Sequence, residues 1–408
     1  MSTPENAREC RCCRAESVTL LLDFGPQPLC NRLRDDATAP EATFPLRLGQ
    51  CRACGVLQLD GVVAAAELTP RGGVVHYREA EGHLDDLVSI LLSTVAIEAS
   101  ARVVALTDKD TSTLDRLKAL GFANQVRLRP QRDFGAAAAF AGVETVQSLV
   151  DPEHAARIVA THGAADVVVA RHVLEHAHDL GSFVAGLQGL LSERGVVVLE
   201  VPEFTVALDT LDYSAIWEEH VVYFTPATLM AFLQSCGFEV IVSICYPYAL
   251  ENSRVVIARV APGLPASAPT AGLETALARG RRYADQLAPR RRRLQQLLAE
   301  QRRAGRRVAM FGAGHVATKL INLMGLAEHL EFVVDDSVDK QRHFMPGSGL
   351  PILPSSALLT RGIDLCLLSQ NPESEKRVVA NQSAFLARGG RLASLFARSP
   401  RALEAEHA

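Results

Sequence analysis

From Val103 onward, short unbroken apolar runs alternate with stretches of helical spacing. The runs are "RVVAL", "QVRLR", "DVVVAR" and "GVVVLEV", and the stretches between them include "LDRLKALGF" and "FVAGLQGLLSERG". Strands with one wet face alternate apolar and polar residues, whereas unbroken runs belong to strands covered on both faces. The pattern therefore predicts a mainly parallel sheet with helices on each side, a doubly wound α/β domain. Upstream, "EGHLDDLVSILLSTV" carries apolar residues at helical spacing and predicts a further helix.

"APGLPASAPTAG", residues 261–272, is too rich in proline and glycine for a helix or a central strand and reads as a linker. The Arg-rich segment after it predicts a long helix broken or kinked near Pro289, its arginines forming a solvated face rather than a phosphate site. Beyond that, "RRVAMFGAGHVATKLINLMGL" reads as strand, glycine turn and helix, and "EFVVDDS" as a second strand ending in acidic residues. This is the opening of a second Rossmann-like unit, with Gly312 and Gly314 at a helix N-terminus where an anion can sit. A Gly-x-Gly without a third glycine is weak evidence for nicotinamide, so a dehydrogenase ranks low.

The cysteines sharpen this picture. Nine are present, and four pair as Cys10 with Cys13 in "CRCC" and Cys51 with Cys54 in "CRAC". Each Cys-x-x-Cys turn points two thiolates at one ion, and four thiolates close a tetrahedral structural zinc site. Cys12, beside Cys13, leaves open which thiol of the first turn ligates. The formal net charge of -4 excludes a general electrostatic affinity for nucleic acid. No 18-residue apolar run is present, and the start "MSTPENAREC" lacks the basic-then-apolar order of a signal peptide. The expectation is a cytoplasmic protein without a membrane partner.

Taken in order, these parts resemble the sugar C-methyltransferases of antibiotic biosynthesis, which methylate C3 of nucleoside-diphosphate 4-keto-6-deoxysugars. The resemblance rests on "LLDFGPQPLCNRL" and "CRACGVLQL", on "ADVVVARHVLEHAHDLGSFVAGLQGLL" and "LDYSAIWEEHVVYFTPATLMAFLQSCGFEV", and on "GAGHVATKLINLMGL", "FVVDDSVDKQRHFMPGSGLPIL" and "DLCLLS". It implies an α/β fold with a zinc-binding domain over residues 1–75, a methyltransferase-like Rossmann domain over 76–260, a linker and Arg-rich helix over 261–305, and a C-terminal Rossmann-like domain over 306–408.

In that family a Tyr-His-Glu-His sequence carries the base chemistry where this chain has Trp217-Glu218-Glu219-His220. The final Glu-His is kept. A carbon acid beside a ketone needs a base near neutral pKa, which His220 supplies, and Glu219 is expected to orient it. The family also uses a tyrosine after its zinc domain, for which Tyr77 stands here. The resemblance further implies substrate contacts from His176, Trp217, Tyr223, Gly312 and Lys319, with a nucleoside-diphosphate sugar, of thymidine type, as the partner.

The cofactor loop departs from the family. Where relatives carry a Glu-Ile-Gly-Ser-Asn-Asp-Gly-Thr-like turn for S-adenosylmethionine, this chain has residues 105–112, with Thr107 and Thr111 at the glycine positions and Asp110 at the acidic one. The acidic residue that would hold the ribose from the next strand becomes Arg129. The cofactor is therefore expected to bind weakly or not at all. Three readings follow. One is an epimerase or isomerase that removes and returns a proton beside the ketone. Another is a C3-methyltransferase with a divergent loop, and the last is a non-catalytic sugar-nucleotide binder, for which Trp217 in place of tyrosine is the hint.

Overall fold

The computed structural model describes residues 8–70, 81–138, 141–261 and 272–403. Near the N-terminus, β1 (Arg8–Glu9), β2 (Glu16–Pro28), β3 (Thr43–Cys51) and β4 (Leu57–Leu59) pair antiparallel in sequence order. Cys10 and Cys13 sit in the turn after β1, and Cys51 and Cys54 span the turn from β3 to β4. A far-off segment, Val222–Tyr223, completes this sheet by pairing with β4. The first sheet is thereby joined to the segment predicted to carry the base.

The central sheet contains β5 (Val103–Ala105), β6 (Gln125–Arg127), β7 (Ala165–Arg171), β8 (Leu191–Glu203), β10 (Phe238–Tyr246) and β11 (Asn252–Val260), with β9 (Val222–Tyr223) lent to the first sheet. Its order is β10-β11-β8-β7-β5-β6. The four strands β6, β5, β7 and β8 run parallel, and β11 and β10 add antiparallel. One face is covered by α1 (Leu84–Thr94) and α2 (Thr111–Ala119), whose Leu84, Leu87, Leu91, Leu114 and Leu117 pack on Val103, Ala105 and Val167. The other is covered by α3 (Pro152–His162), α4 (Leu180–Leu190) and α5 (Pro226–Ser235), packed on Val104, Val168 and Ala170. Burial on both faces accounts for the unbroken apolar runs.

In the C-terminal part, β12 (Val308–Phe311), β13 (Val333–Val334), β14 (Ile352–Leu353), β15 (Leu365–Leu368) and β16 (Arg391–Ser394) form an all-parallel sheet of order β14-β13-β12-β15-β16. Between the two Rossmann-like units lies α6 (Leu273–Arg303), a single helix of 31 residues that runs through Pro289. The break expected there does not occur. Proline inside a helix costs about 3 kcal/mol, but Tyr283, Leu287, Leu294 and Leu298 are buried on both sides of it. Each such side chain contributes about 1.5–3 kcal/mol of burial, which outweighs one lost bond. Of its arginines, the exposed Arg293 and the partly buried Arg290 line a cavity of about 500 Å³ with Gln286, Leu395 and Phe396. Among the described residues, no helix is long and apolar enough to cross a membrane.

Candidate active site

Residues 216–223 form a loop held from three sides. Asp212 accepts from the Ser214 amide at 2.9 Å and fixes the turn that enters it. Val221 donates its amide to the Glu175 carbonyl at 2.8 Å, pinning the loop to the turn after β7. The Tyr223 hydroxyl bridges the Trp217 backbone, accepting from its amide at 3.2 Å and donating to its carbonyl at 3.3 Å. Tyr223, expected at the substrate, thus serves the loop itself.

The four side chains of residues 217–220 go to different parts of the molecule. Trp217 stacks on His315, at the start of α7 (His315–Met324) in the C-terminal part, with ring centroids 4.5 Å apart. Glu218 meets the Lys319 ammonium of α7 at 2.7 Å and accepts from the Cys30 amide and thiol. Burial opposes the charge on Glu218, but Lys319 and the Cys30 amide outweigh it and hold the carboxyl below its usual range. Lys319 is 1% exposed, so its partner is a protein carboxylate rather than the substrate expected from sequence. Glu219 accepts from the Asn31 side-chain amide at 3.2 Å. His220 lies edge-on to His176, centroids 4.7 Å apart, and 4.9 Å from Trp217.

His220 and His176 are both kept neutral. Burial is the main cause for each, and the basic groups around them, among them His172 and Lys109, add to it, so both titrate well below the usual histidine range. A neutral imidazole keeps a lone pair that takes a proton, but the downward shift makes His220 a weaker base than the near-neutral one expected from sequence. Tyr77, the remaining catalytic residue expected from sequence, lies outside the described residues.

At the carboxyl ends of β5 and β7, where the strand order reverses, a doubly wound sheet takes its ligand. Here Thr107 opens a short turn, donating its amide to Asp110 at 2.9 Å. Asp110 also accepts from the Arg171 amide at 2.9 Å, and burial pushes its carboxyl up to about 7 against those bonds. The Arg171 guanidinium, 1% exposed, donates to the Lys109 carbonyl at 2.6 Å, to Glu200 at 2.5 Å and to Glu81 at 3.2 Å. Glu200 is further held by His172 at 3.0 Å, His83 at 3.2 Å and the Ser253 hydroxyl at 2.5 Å. His172, which follows β7, has φ 51°, a left-handed conformation uncommon for a residue with a side chain. Arg129 is exposed just past β6 and gives its amide to Asp133.

The sequence reading missed Arg171, Glu200, His172 and Glu175. One signal was present: Glu200 interrupts the apolar run "GVVVLEV", and a lone carboxylate inside a buried strand requires a partner.

Cys10, Cys13, Cys51 and Cys54 converge, with Cys10 3.6 Å from Cys54 and Cys13 3.6 Å from Cys51. Zinc–sulfur bonds of about 2.3 Å in a tetrahedron place the sulfurs about 3.8 Å apart, so these thiolates fit zinc. Cys12 is outside this group of four, with its thiol beside that of Cys10.

Three family models match in sequence order: "Putative zinc binding domain" over residues 10–68, "Methyltransferase domain" over 65–243 and "C-methyltransferase C-terminal domain" over 258–396. The chain belongs to the C-methyltransferase family. It is 27% identical over 403 residues to C-methyltransferase NovU of Streptomyces niveus, spanning 94% of each chain. Two solved methyltransferases overlap less than half of this C-methyltransferase family member. An S-adenosylmethionine-dependent methyltransferase of Anabaena variabilis is 14% identical, at TM-score 0.30, over 44% of this chain and 86% of its own. The 1,6-didemethyltoxoflavin-N1-methyltransferase of Burkholderia thailandensis, solved with S-adenosylhomocysteine, is 16% identical, at TM-score 0.27, over 46% of this chain and 93% of its own.

Proposed function

We propose that this member of the C-methyltransferase family acts on a nucleoside-diphosphate 4-keto-deoxysugar, of thymidine type, and moves a proton beside the ketone without transferring a methyl group. The observation that carries the reading is the Arg171 guanidinium, bonded to the Lys109 carbonyl and to Glu200 across the point where a methyl donor would lie. Thr107 and Thr111 stand in place of the glycines that let such a cofactor approach, and Arg129 in place of the ribose-binding acid. These residues do not fit S-adenosylmethionine.

His220 takes the C3 proton, and the C–H electrons pass to the ketone oxygen as an enolate. Return of the proton from His220 to the same face gives no net change, and the epimer forms when solvent supplies a proton to the other face of the enolate. Gly314, at the N-terminus of α7, offers its amide and a favourable dipole to the diphosphate, while the Gly312 amide is bonded to the Val334 carbonyl at 2.8 Å and Gly312 serves the turn. His315, next to that turn, stacks on Trp217, which supports a substrate lying between the turn and His220.

The test is exchange at C3 in deuterium oxide with a TDP-4-keto-6-deoxysugar. Exchange above the uncatalysed rate is expected, falling by roughly 100-fold or more in His220→Gln, the scale for removing a general base. Calorimetry with S-adenosylmethionine is expected to show no micromolar binding. Such binding would instead favour a second reading, a C3-methyltransferase with a divergent loop, which the full-length likeness to C-methyltransferase NovU supports.

A further inference from the structure

We infer that Glu175, His176 and His220 form a site for a divalent transition-metal ion, separate from the four cysteines. Glu175 and His176 sit on the turn after β7, and the Val221 amide bonded to the Glu175 carbonyl brings His220 against them. One ligand atom from each lies within 4.8 Å of the other two.

Two features of this cluster have no other account in the fold. Glu175 is 1% exposed, yet neither of its carboxylate oxygens has a hydrogen-bond partner. The His172 ring stands 3.6 Å away and places its other nitrogen on Glu200 at 3.0 Å. A buried carboxylate left in that state is strongly unfavourable, and an ion beside it removes the cost. The second feature is His176 Nδ1, buried and without a partner, while the ring is hydrogen-bonded to the Glu219 backbone. A histidine whose other nitrogen donates to a carbonyl is fixed in the tautomer that metal ligands use.

Two imidazoles and one carboxylate suit zinc, cobalt, nickel or iron, whereas calcium and magnesium ask for more oxygens. Metal–ligand bonds of about 2.0–2.2 Å separate two ligands of one ion by at most about 4.4 Å. Side-chain adjustments of a few tenths of an ångström therefore close the site. His220 is half-buried and gives the ion its way in.

Binding does not depend on the reaction proposed above, but it has a consequence for it. With one ring nitrogen on the ion and a hydrogen on the other, His220 has no lone pair for a substrate proton. The loaded state and the proton-abstracting state exclude one another.

The test is cobalt(II) titration of full-length protein whose cysteine site is filled with zinc. One cobalt per chain is expected, with d–d absorption but no thiolate-to-metal charge transfer. Glu175→Gln and His176→Gln are each expected to weaken binding at least about 10-fold. Glu175→Gln removes an unpaired buried charge, so its melting temperature is expected to match or exceed that of the unmodified chain. No cobalt taken up beyond the cysteine site, charge-transfer bands, or equal affinity in both variants would overturn the site. Deuterium exchange is read separately, in chelator-treated, zinc-retaining protein. Absence of exchange there counts against the proposed reaction alone, and exchange that continues unchanged with cobalt bound overturns the exclusion.

Discussion

The central and C-terminal sheets share a topology at their switch points and differ in what fills them. In the central sheet Thr107 and Thr111 take conformations open to any residue, with φ of -137° and -56°, and the Arg171 guanidinium lies across the strand ends. In the C-terminal sheet Gly312 has φ 101°, and a side chain at Gly314 would point into open space. The residue after β15 is Ser369, whose small hydroxyl stays on the Phe311 and Gly312 carbonyls at 2.7 and 3.1 Å. Both sheets supply the frame of a ligand crevice. The side chains at the strand ends decide which crevice admits a ligand, and the function proposed above assigns the ligand to the C-terminal one.

The largest expected effect removes the zinc-bearing support of the 216–223 loop. Cys30 and Asn31, in the zinc-bearing part, hold Glu218 and Glu219. Structural zinc contributes apparent binding energies of about 10–16 kcal/mol, against a net domain stability of about 5–15 kcal/mol. Cys51→Ser is therefore expected to abolish cooperative melting of the N-terminal sheet. Elemental analysis of the unmodified protein should give at least one zinc per chain, and one in the Glu175→Gln variant. An unchanged melt in zinc-free protein would remove the metal from this account.

Arg171 is the next lever, because the contrast between the sheets rests on it. Arg171→Ala takes the guanidinium from the fully buried Glu200 carboxylate, which keeps His172, His83 and Ser253, so the loss is expected at the low end of the about 3–5 kcal/mol for breaking a buried pair from one side. Urea unfolding is expected to register a loss of that size. Replacing both partners, as Arg171→Met with Glu200→Gln, should recover much of it. A loss under about 1 kcal/mol in Arg171→Ala would mean that the guanidinium does not fill the crevice in solution.

How far these features were legible in the sequence depends on whether each was local. The unbroken apolar runs marked β7 and β8 because burial on both faces leaves no room for polar positions. The Cys-x-x-Cys spacing and the glycine turn before α7 were legible for the same reason, since few neighbouring residues suffice to make them. Arg171 and Glu200 were not. Each ends or interrupts an apolar run 29 residues from the other, and only the parallel register of β7 on β8 sets them side by side. Lys319 was expected to contact the substrate, and only the placement of α7 sets it against Glu218. At Pro289 the local rule lost to tertiary packing.

The pH dependence of stability gives a smaller handle on the filled crevice. Asp110 has a folded pKa of about 7, above the roughly 3.9 of an unfolded aspartate. The folded state thus keeps a proton that the unfolded chain has released between those values. The contribution is fully present below about pH 4 and is lost as pH rises through about 7. Urea midpoints of the unmodified protein are expected to decline across this window more than those of Asp110→Asn, which carries no proton to lose. Parallel pH profiles would mean that Asp110 stays ionised beside Arg171.

The smallest effect probes the open crevice, where the two glycines separate a backbone requirement from a ligand requirement. At Gly312 a side chain is strained by φ 101°, and its Cβ would lie 3.1 Å from the Ser369 hydroxyl, so Gly312→Ala is expected to lose about 1–2 kcal/mol of stability. At Gly314, with φ -121° and ψ -174° and nothing within 4 Å of an added Cβ, alanine fits the folded chain. Gly314→Ala is expected to unfold within about 0.5 kcal/mol of the unmodified protein. If a diphosphate lies against the α7 amides, the added methyl meets it instead, and affinity for a TDP-sugar falls several-fold in calorimetry while stability stays put. Unchanged affinity in Gly314→Ala would place the nucleotide away from this turn and leave the second sheet, like the first, a frame without a ligand.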